Sequence, residues 1–421
     1  MNKTNNKLAF LIGSLLASSA GAQDSDGLGV QVGPFRAVPT LGVTLEHDSN
    51  VLRSPSNELD SFVTVISPGV QLERGDESGG VVFGYEGEFG RYADFSSENY
   101  DDHRLYAQVR SSPSARLRLA GNAQYELGHD FRGESGAQQG GFVTGPNGSL
   151  LFTEPDEFRR TGLNGSMEYG AEGARALLAA NAGVEDLEYR NNRQFTQFRD
   201  QQTTTFGVDF GWRVAPKTRL TLSADQNDIE FERQRPTTSG VLSFDNRERM
   251  YMLGVSFDPT SKTSGFAQFG RIEKDFDDPR IDDFSGSGWV LGMSFRPLTY
   301  SAIDVSTSRR TDEADDVFLG GSRGASFIVS RDFTIGWSHG WTDRFKTSLD
   351  VGQSRGSYRA IVDESLEVRN DQMRFWGLGL DYQFRPWLQI GAGYKAYERD
   401  SSDGLFDYDR DVLTLSFEGT L

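Results

Sequence analysis

Beyond residue 23 the apolar residues recur with a period of two rather than 3.6, which calls for strands with two unlike faces. Val81, Phe83, Tyr85, Gly87 and Phe89 interleave with Gly84, Glu86, Glu88 and Gly90. The same dyad returns in Phe206, Val208, Phe210, Trp212 and Val214 against Thr205, Asp209 and Arg213, and again in Leu413, Leu415, Phe417, Gly419 and Leu421. Each run has about ten residues or more, whereas strands of soluble domains usually have five or six. A membrane-spanning strand needs this length and alternation, because one face meets hydrocarbon and the other the lumen.

The connections narrow the choice further. Minimal turns are expected at Ser112-Pro113-Ser114, Ala215-Pro216-Lys217, Pro259-Thr260-Ser261, Pro297-Leu298-Thr299, Thr342-Asp343 and Arg385-Pro386. Proline and small polar residues suit tight turns and cannot continue a ladder. Between these turns lie long polar stretches, among them 129–156, 232–246, 275–286, 311–324 and 355–371. Short connections on one side and long ones on the other are the pattern of outer-membrane barrels, with the short turns periplasmic.

The alternation predicts an all-β fold, a transmembrane antiparallel up-and-down barrel. Its strands fall near 38–47, 61–73, 80–92, 101–111, 116–128, 158–169, 173–187, 202–214 and 217–230, then 247–257, 263–274, 286–297, 301–310, 325–340, 344–354, 372–384, 387–397 and 409–421. That makes eighteen, with sixteen as the neighbouring even count. Trp212, Phe257, Phe295, Trp341, Phe384 and Trp387 sit beside the short turns, where an interfacial aromatic girdle belongs.

Composition agrees. Only 36% of residues are hydrophobic and there is no cysteine. No stretch of the mature chain reaches the roughly 20 apolar residues that a spanning helix needs. Residues 1–22 read as a secretory signal: Lys3 and Lys7, an apolar run from Leu8 to Leu16, then Ala20-Gly21-Ala22 before Gln23. Cleavage is expected after Ala22, leaving 23–37 as a short periplasmic segment and 38–421 as the barrel. This places the chain in a Gram-negative outer membrane, with lipid and lipopolysaccharide as its surroundings. The net charge of −18 argues against nucleic acid as a partner.

The phase opposite to the apolar one projects polar residues of both signs inward. The candidate lumen lining is Glu86, Glu88, Tyr92, Arg104, Tyr106, Arg110, Arg116, Arg118, Arg160, Arg175, Arg213 and Arg219. About eighteen strands leave room for an aqueous channel. A basic cluster such as Arg104, Arg110, Arg116 and Arg118 can form a track for anions. It can equally pair with acids on neighbouring strands, the commoner use of such residues. Tyr92, Tyr106, Phe375 and Tyr397 could stack on sugar rings, although rings also serve as packing groups. A long loop such as 131–157 could fold inward and constrict the passage.

No catalytic, metal or cofactor site is expected. His47, His103, His129 and His339 share no motif, and no nucleophile elbow is present. The acidic runs Asp275, Asp277, Asp278, Asp282, Asp283 and Asp312, Glu313, Asp315, Asp316 lack calcium-loop spacing and read as solvated acid.

The segment from Leu41 to Val51, with its Glu46-His47-Asp48-Ser49-Asn50 core, together with Tyr92-Ala93-Asp94-Phe95, Asn99-Tyr100-Asp101-Asp102 and the Ala-Pro and Arg-Pro turns, resembles the putative beta-barrel porin 2 family. The resemblance implies an outer-membrane barrel associated with exopolysaccharide or capsule export, working with a separate periplasmic polysaccharide export protein. It carries no residue-level site. Translocation of a secreted exopolysaccharide is therefore the function expected first, with a general or small-solute diffusive porin as the alternative and a surface receptor built on the long loops third.

Overall fold

The computed structural model describes residues 29–76, 79–133, 153–171, 173–237, 240–260, 262–314, 324–361 and 366–421. The expected signal peptide lies outside the described residues. Eighteen strands form the wall. They are β1 (Phe35–Asp48), β2 (Ser61–Asp76), β3 (Gly79–Tyr92), β4 (Tyr100–Ser114), β5 (Leu117–Asp130), β6 (Asp156–Tyr169), β7 (Ala176–Tyr189), β8 (Gln201–Ala215) and β9 (Thr218–Phe231). The second half comprises β10 (Asn246–Thr260), β11 (Thr263–Phe276), β12 (Phe284–Leu298), β13 (Ser301–Glu313), β14 (Ala325–Gly340), β15 (Phe345–Ala360), β16 (Glu367–Arg385), β17 (Leu388–Ser401) and β18 (Tyr408–Thr420).

Every strand pairs antiparallel with its chain neighbours, and β18 closes on β1 through the register Thr40↔Thr420 to Asp48↔Val412. The barrel therefore has no free edge, which removes the row of unpaired backbone groups that hydrocarbon would not tolerate. The described part of the wall agrees with the expected up-and-down barrel of eighteen strands.

Two boundaries differ from expectation. β1 begins at Phe35, where Arg36 registers with Glu73, and Val30–Val32 folds back on its first residues. The second difference is on the long-loop side. Residues 355–371 look like a loop, yet β15 continues to Ala360 and β16 starts at Glu367, with Ser357↔Asn370 and Tyr358↔Arg369 in register. Above the membrane the two faces of a strand no longer meet unlike solvents. The alternation fades there while the backbone ladder persists.

The outward face is the apolar one. Phe83, Leu105, Leu163, Phe206, Leu222, Leu253 and Leu413 are exposed there, as lipid-facing groups must be when no lipid is present. Trp212, Phe295, Trp341, Phe384 and Trp387 stand exposed at the short-turn ends of their strands.

Candidate translocation lumen

Mid-barrel, the inward phase of β1 to β9, with β18, lines a cavity of about 800 Å³. Thr44, Glu86, Glu88, Arg104, Gln124, Glu126, Arg160, Asn164, Glu185 and Thr205 are among its walls. Strand register decides how the charges meet. Arg104 stands opposite Glu86 and bonds it at 3.3 Å. Arg160 stands opposite Glu126 at 3.2 Å and also reaches Glu185 on β7 at 3.7 Å. Arg118 pairs with the opposite Glu168. These direct cross-strand partners are acids, so the wall is charged without a strong net field around these pairs.

Most of the remaining candidates fall outside this cavity wall. The Tyr106 ring lies 5.2 Å from the Arg104 guanidinium, and its hydroxyl accepts from Gln71 at 3.4 Å. Tyr92 is at the outer end of β3, where its backbone N–H donates to Asn99 Oδ1 at 2.8 Å. Phe375 and Tyr397 contact each other at 6.1 Å between centroids, and Arg410 lies over Tyr397 at 5.5 Å. Glu88 accepts the Tyr100 hydroxyl at 2.9 Å.

Arg110 is exposed near the short-turn end of β4. Arg116 is in the turn before β5, and Arg175 precedes β7 with its guanidinium 5.1 Å from the Trp212 ring, at the outer wall. Arg213 and Arg219 stand directly opposite each other at the short-turn ends of β8 and β9.

The outer end of the lumen is packed. Val63, Tyr100, Phe158, Ile229, Met252 and Ile272 lie on or beside the inward phase and are buried. Buried charges interleave with them, several held by an opposite charge. Asp48 receives Arg410, Glu98 receives Arg132, and Lys274 bridges Glu248 at 3.6 Å and Glu313. Arg199 bridges Asp130 at 2.8 Å and Asp156 at 3.0 Å.

Over β10 to β14 the connection after β9 folds into a small hairpin, Arg235–Thr237 with Gly240–Leu242. Leu242 and Phe244 then pack with Phe276, Ile281, Phe284, Phe327 and Val329. Arg235 secures this connection by donating to the carbonyls of Phe198 and Ala314 at 3.1 and 2.7 Å. The loop expected to constrict the passage, 131–157, has its middle outside the described residues.

Among the described residues no cluster of ligating side chains is placed to hold an ion. Asp275 binds Arg249 at 2.8 Å, and Asp278 accepts from Arg280 at 2.6 and 2.9 Å. Those bonds, with backbone N–H groups of Arg280 and Ser243, hold the Asp278 carboxyl well below its ordinary range.

Sequence reasoning missed the mouth residues Asn50, Arg132, Lys274 and Arg410. The one signal for them was the Asp48-Ser49-Asn50 run. Asn50 is fully buried and donates to the carbonyls of Ser54 and Asp409, both at 2.9 Å, pinning the first long connection to the final strand.

An iron transporter, FrpB from Neisseria meningitidis (F5-1 variant), aligns with 93% of this chain and 83% of its own at 12% identity and a TM-score of 0.49. OpdO from Pseudomonas aeruginosa aligns with 93% of this chain and 98% of its own, at 14% identity and a TM-score of 0.47. OpdK from the same organism, solved with vanillate, covers 91% and 99% at 13% identity and a TM-score of 0.47. No curated protein matches the sequence. The family model described as putative beta-barrel porin 2 matches residues 24–419, nearly the whole chain, and the protein belongs to that family of outer-membrane barrels.

Proposed function

We propose that this barrel conducts small hydrophilic solutes across the outer membrane through the cavity between β1 and β9. The observation that carries this reading is that cavity: about 800 Å³, walled by paired charges, amides and hydroxyls. A wall of fixed dipoles and neutralised charges replaces part of a solute's hydration without trapping it. The packing of the outer end by loop residues and buried ion pairs favours solutes over a thick polymer. Of the rings considered for sugar stacking, Tyr106, Phe375 and Tyr397 are engaged with one another or with arginines.

Reconstitution tests the proposal. Purified protein in planar bilayers should show a small steady conductance, and loaded liposomes should swell faster with monosaccharides than with trisaccharides. Absence of both would overturn the solute-porin reading. Passage of long oligosaccharides as readily as monosaccharides, with loss of surface polysaccharide on deleting the gene, would replace it by the exopolysaccharide export that the family resemblance implied.

A further inference from the structure

Arg213 and Arg219 differ in their partners from four other lumen arginines. Arg104, Arg118, Arg160 and Arg310 each face a carboxylate. Arg213 and Arg219 face each other across the β8–β9 ladder, and neither bonds a carboxylate among the described residues. Like charges placed directly opposite on a sheet are destabilising. A bulge at this turn brings Thr218 opposite Ala215 and the next rung to Arg219 opposite Arg213. The corresponding rung at the β16–β17 turn holds Gln383 and Gln389, so the turn geometry does not demand arginine.

The local backbone is shaped around the pair. The Arg219 chain lies flat over Gly211, where an added Cβ would stand 2.5 Å from Arg219 Cδ. Its Nε is buried without a hydrogen-bond partner. Arg213 extends the other way, toward Gly173 in the turn before β7. Arg118, whose carboxylate is Glu168, is near enough to add to the field at Arg219. The inward-phase carboxylates of the same two strands, Asp209 and Asp225, lie deeper in the lumen, opposite Ser223 and Gly207, and make no ion pair with either arginine. Along β8 and β9 the charge is thus segregated, positive at the periplasmic mouth and negative within.

We propose that Arg213 and Arg219 form an anion-binding step at the periplasmic mouth, which takes solutes bearing a carboxylate or a phosphate. Two planar guanidinium forks with uncommitted N–H donors match the paired oxygens of those groups. The proposal rests on the conduit reading for its purpose and on the arginine pair alone for its binding.

Two measurements separate the two claims. In planar bilayers, citrate or inorganic phosphate added on the short-turn side should reduce the chloride current of the wild type. The double variant Arg213→Gln/Arg219→Gln should need at least about tenfold more anion for the same block, since two charge-assisted contacts are gone. Arg374→Gln removes one charge from the outward side of the outer rim, where Arg374 pairs with Glu398 and Asp400, and should block like the wild type. Equal block in the double variant and the wild type would overturn the anion step.

Calorimetric titration of the same anions into detergent-solubilised protein reads the site without any current. Arginine-dependent heat in a protein that conducts nothing would keep the site and discard the conduit. Current with no arginine-dependent heat or block would do the reverse. Heat-modifiable migration on gels establishes that the double variant has formed its barrel. Arg213→Lys/Arg219→Lys, which keeps charge but loses the fork, should bind at a level between the two.

Discussion

Asp48 and Arg410 lie 362 residues apart in the chain and meet at the seam where the barrel closes. Arg410 Nε donates to both carboxylate oxygens at 3.0 Å, and a terminal nitrogen of its guanidinium adds a bond at 2.8 Å. Asp48 is only 2% exposed. Removing one partner of a buried pair leaves an uncompensated charge. Asp48→Ala should therefore lower the unfolding free energy by about 3–5 kcal/mol. Urea titration in lipid vesicles, followed by tryptophan fluorescence, reads the change, and an unaltered midpoint would refute it.

Asn50 moors the first long connection by three bonds, two from its amide and one in which Ser54 N–H donates to its Oδ1 at 2.9 Å. Asn50→Ala strands those backbone groups in a buried setting, at about 1–3 kcal/mol. Limited proteolysis of intact vesicles should then cut within residues 51–60 at a rate well above that of the wild type, with the barrel itself unaffected.

The two faces of β9 should respond oppositely to charge. Leu222 is 56% exposed on the lipid-facing side, and Thr221 beside it faces the lumen. Leu222→Arg should destabilise insertion by about 2–4 kcal/mol if it lies near the bilayer midplane. Thr221→Arg should fold normally and change ion selectivity. Folding titrations into lipid vesicles compare the two; equal destabilisation would contradict the assigned phase.

Lys274 is fully buried between Glu248 and Glu313. Lys274→Met should cost about 3–5 kcal/mol because two buried carboxylates lose their counter-ion. Adding Glu248→Gln and Glu313→Gln should recover a large part of that loss, as neutral hydrogen-bonding groups tolerate burial better than unpaired charge. A triple variant no more stable than the single one would show that the cost lies in packing.

The loop carboxyl Asp278 supplies a pH signature. Its folded-state pKa is depressed by bonds from Arg280. The unfolded carboxyl binds protons more readily, so the stabilisation is fully present above the ordinary aspartate range, near pH 4, and is lost as pH falls through the lower folded value. Hydrogen exchange at Ser243, whose N–H donates to Asp278 Oδ2 at 3.3 Å, should be constant from neutral pH to about 5 after correction for intrinsic rates. It should accelerate below about 4, and Asp278→Asn should remove that step.

Period-two alternation was legible wherever a strand separates lipid from lumen, because each residue there meets one of two very unlike solvents. That contrast is enough to locate all eighteen strands and their antiparallel order around the wall. Two limits follow from the same physics. Above the membrane the contrast disappears, so the continuation of β15 and β16 through Ser357 and Asn370 left no periodic trace.

Pairing across strands depends on register, which the turns and bulges set and which composition along one strand does not contain. Arg104 and Arg213 look alike in the sequence, each an inward arginine in an alternating run. Only the tertiary structure places Glu86 opposite the first and Arg219 opposite the second, making one a neutralised wall and the other an open pair of cations.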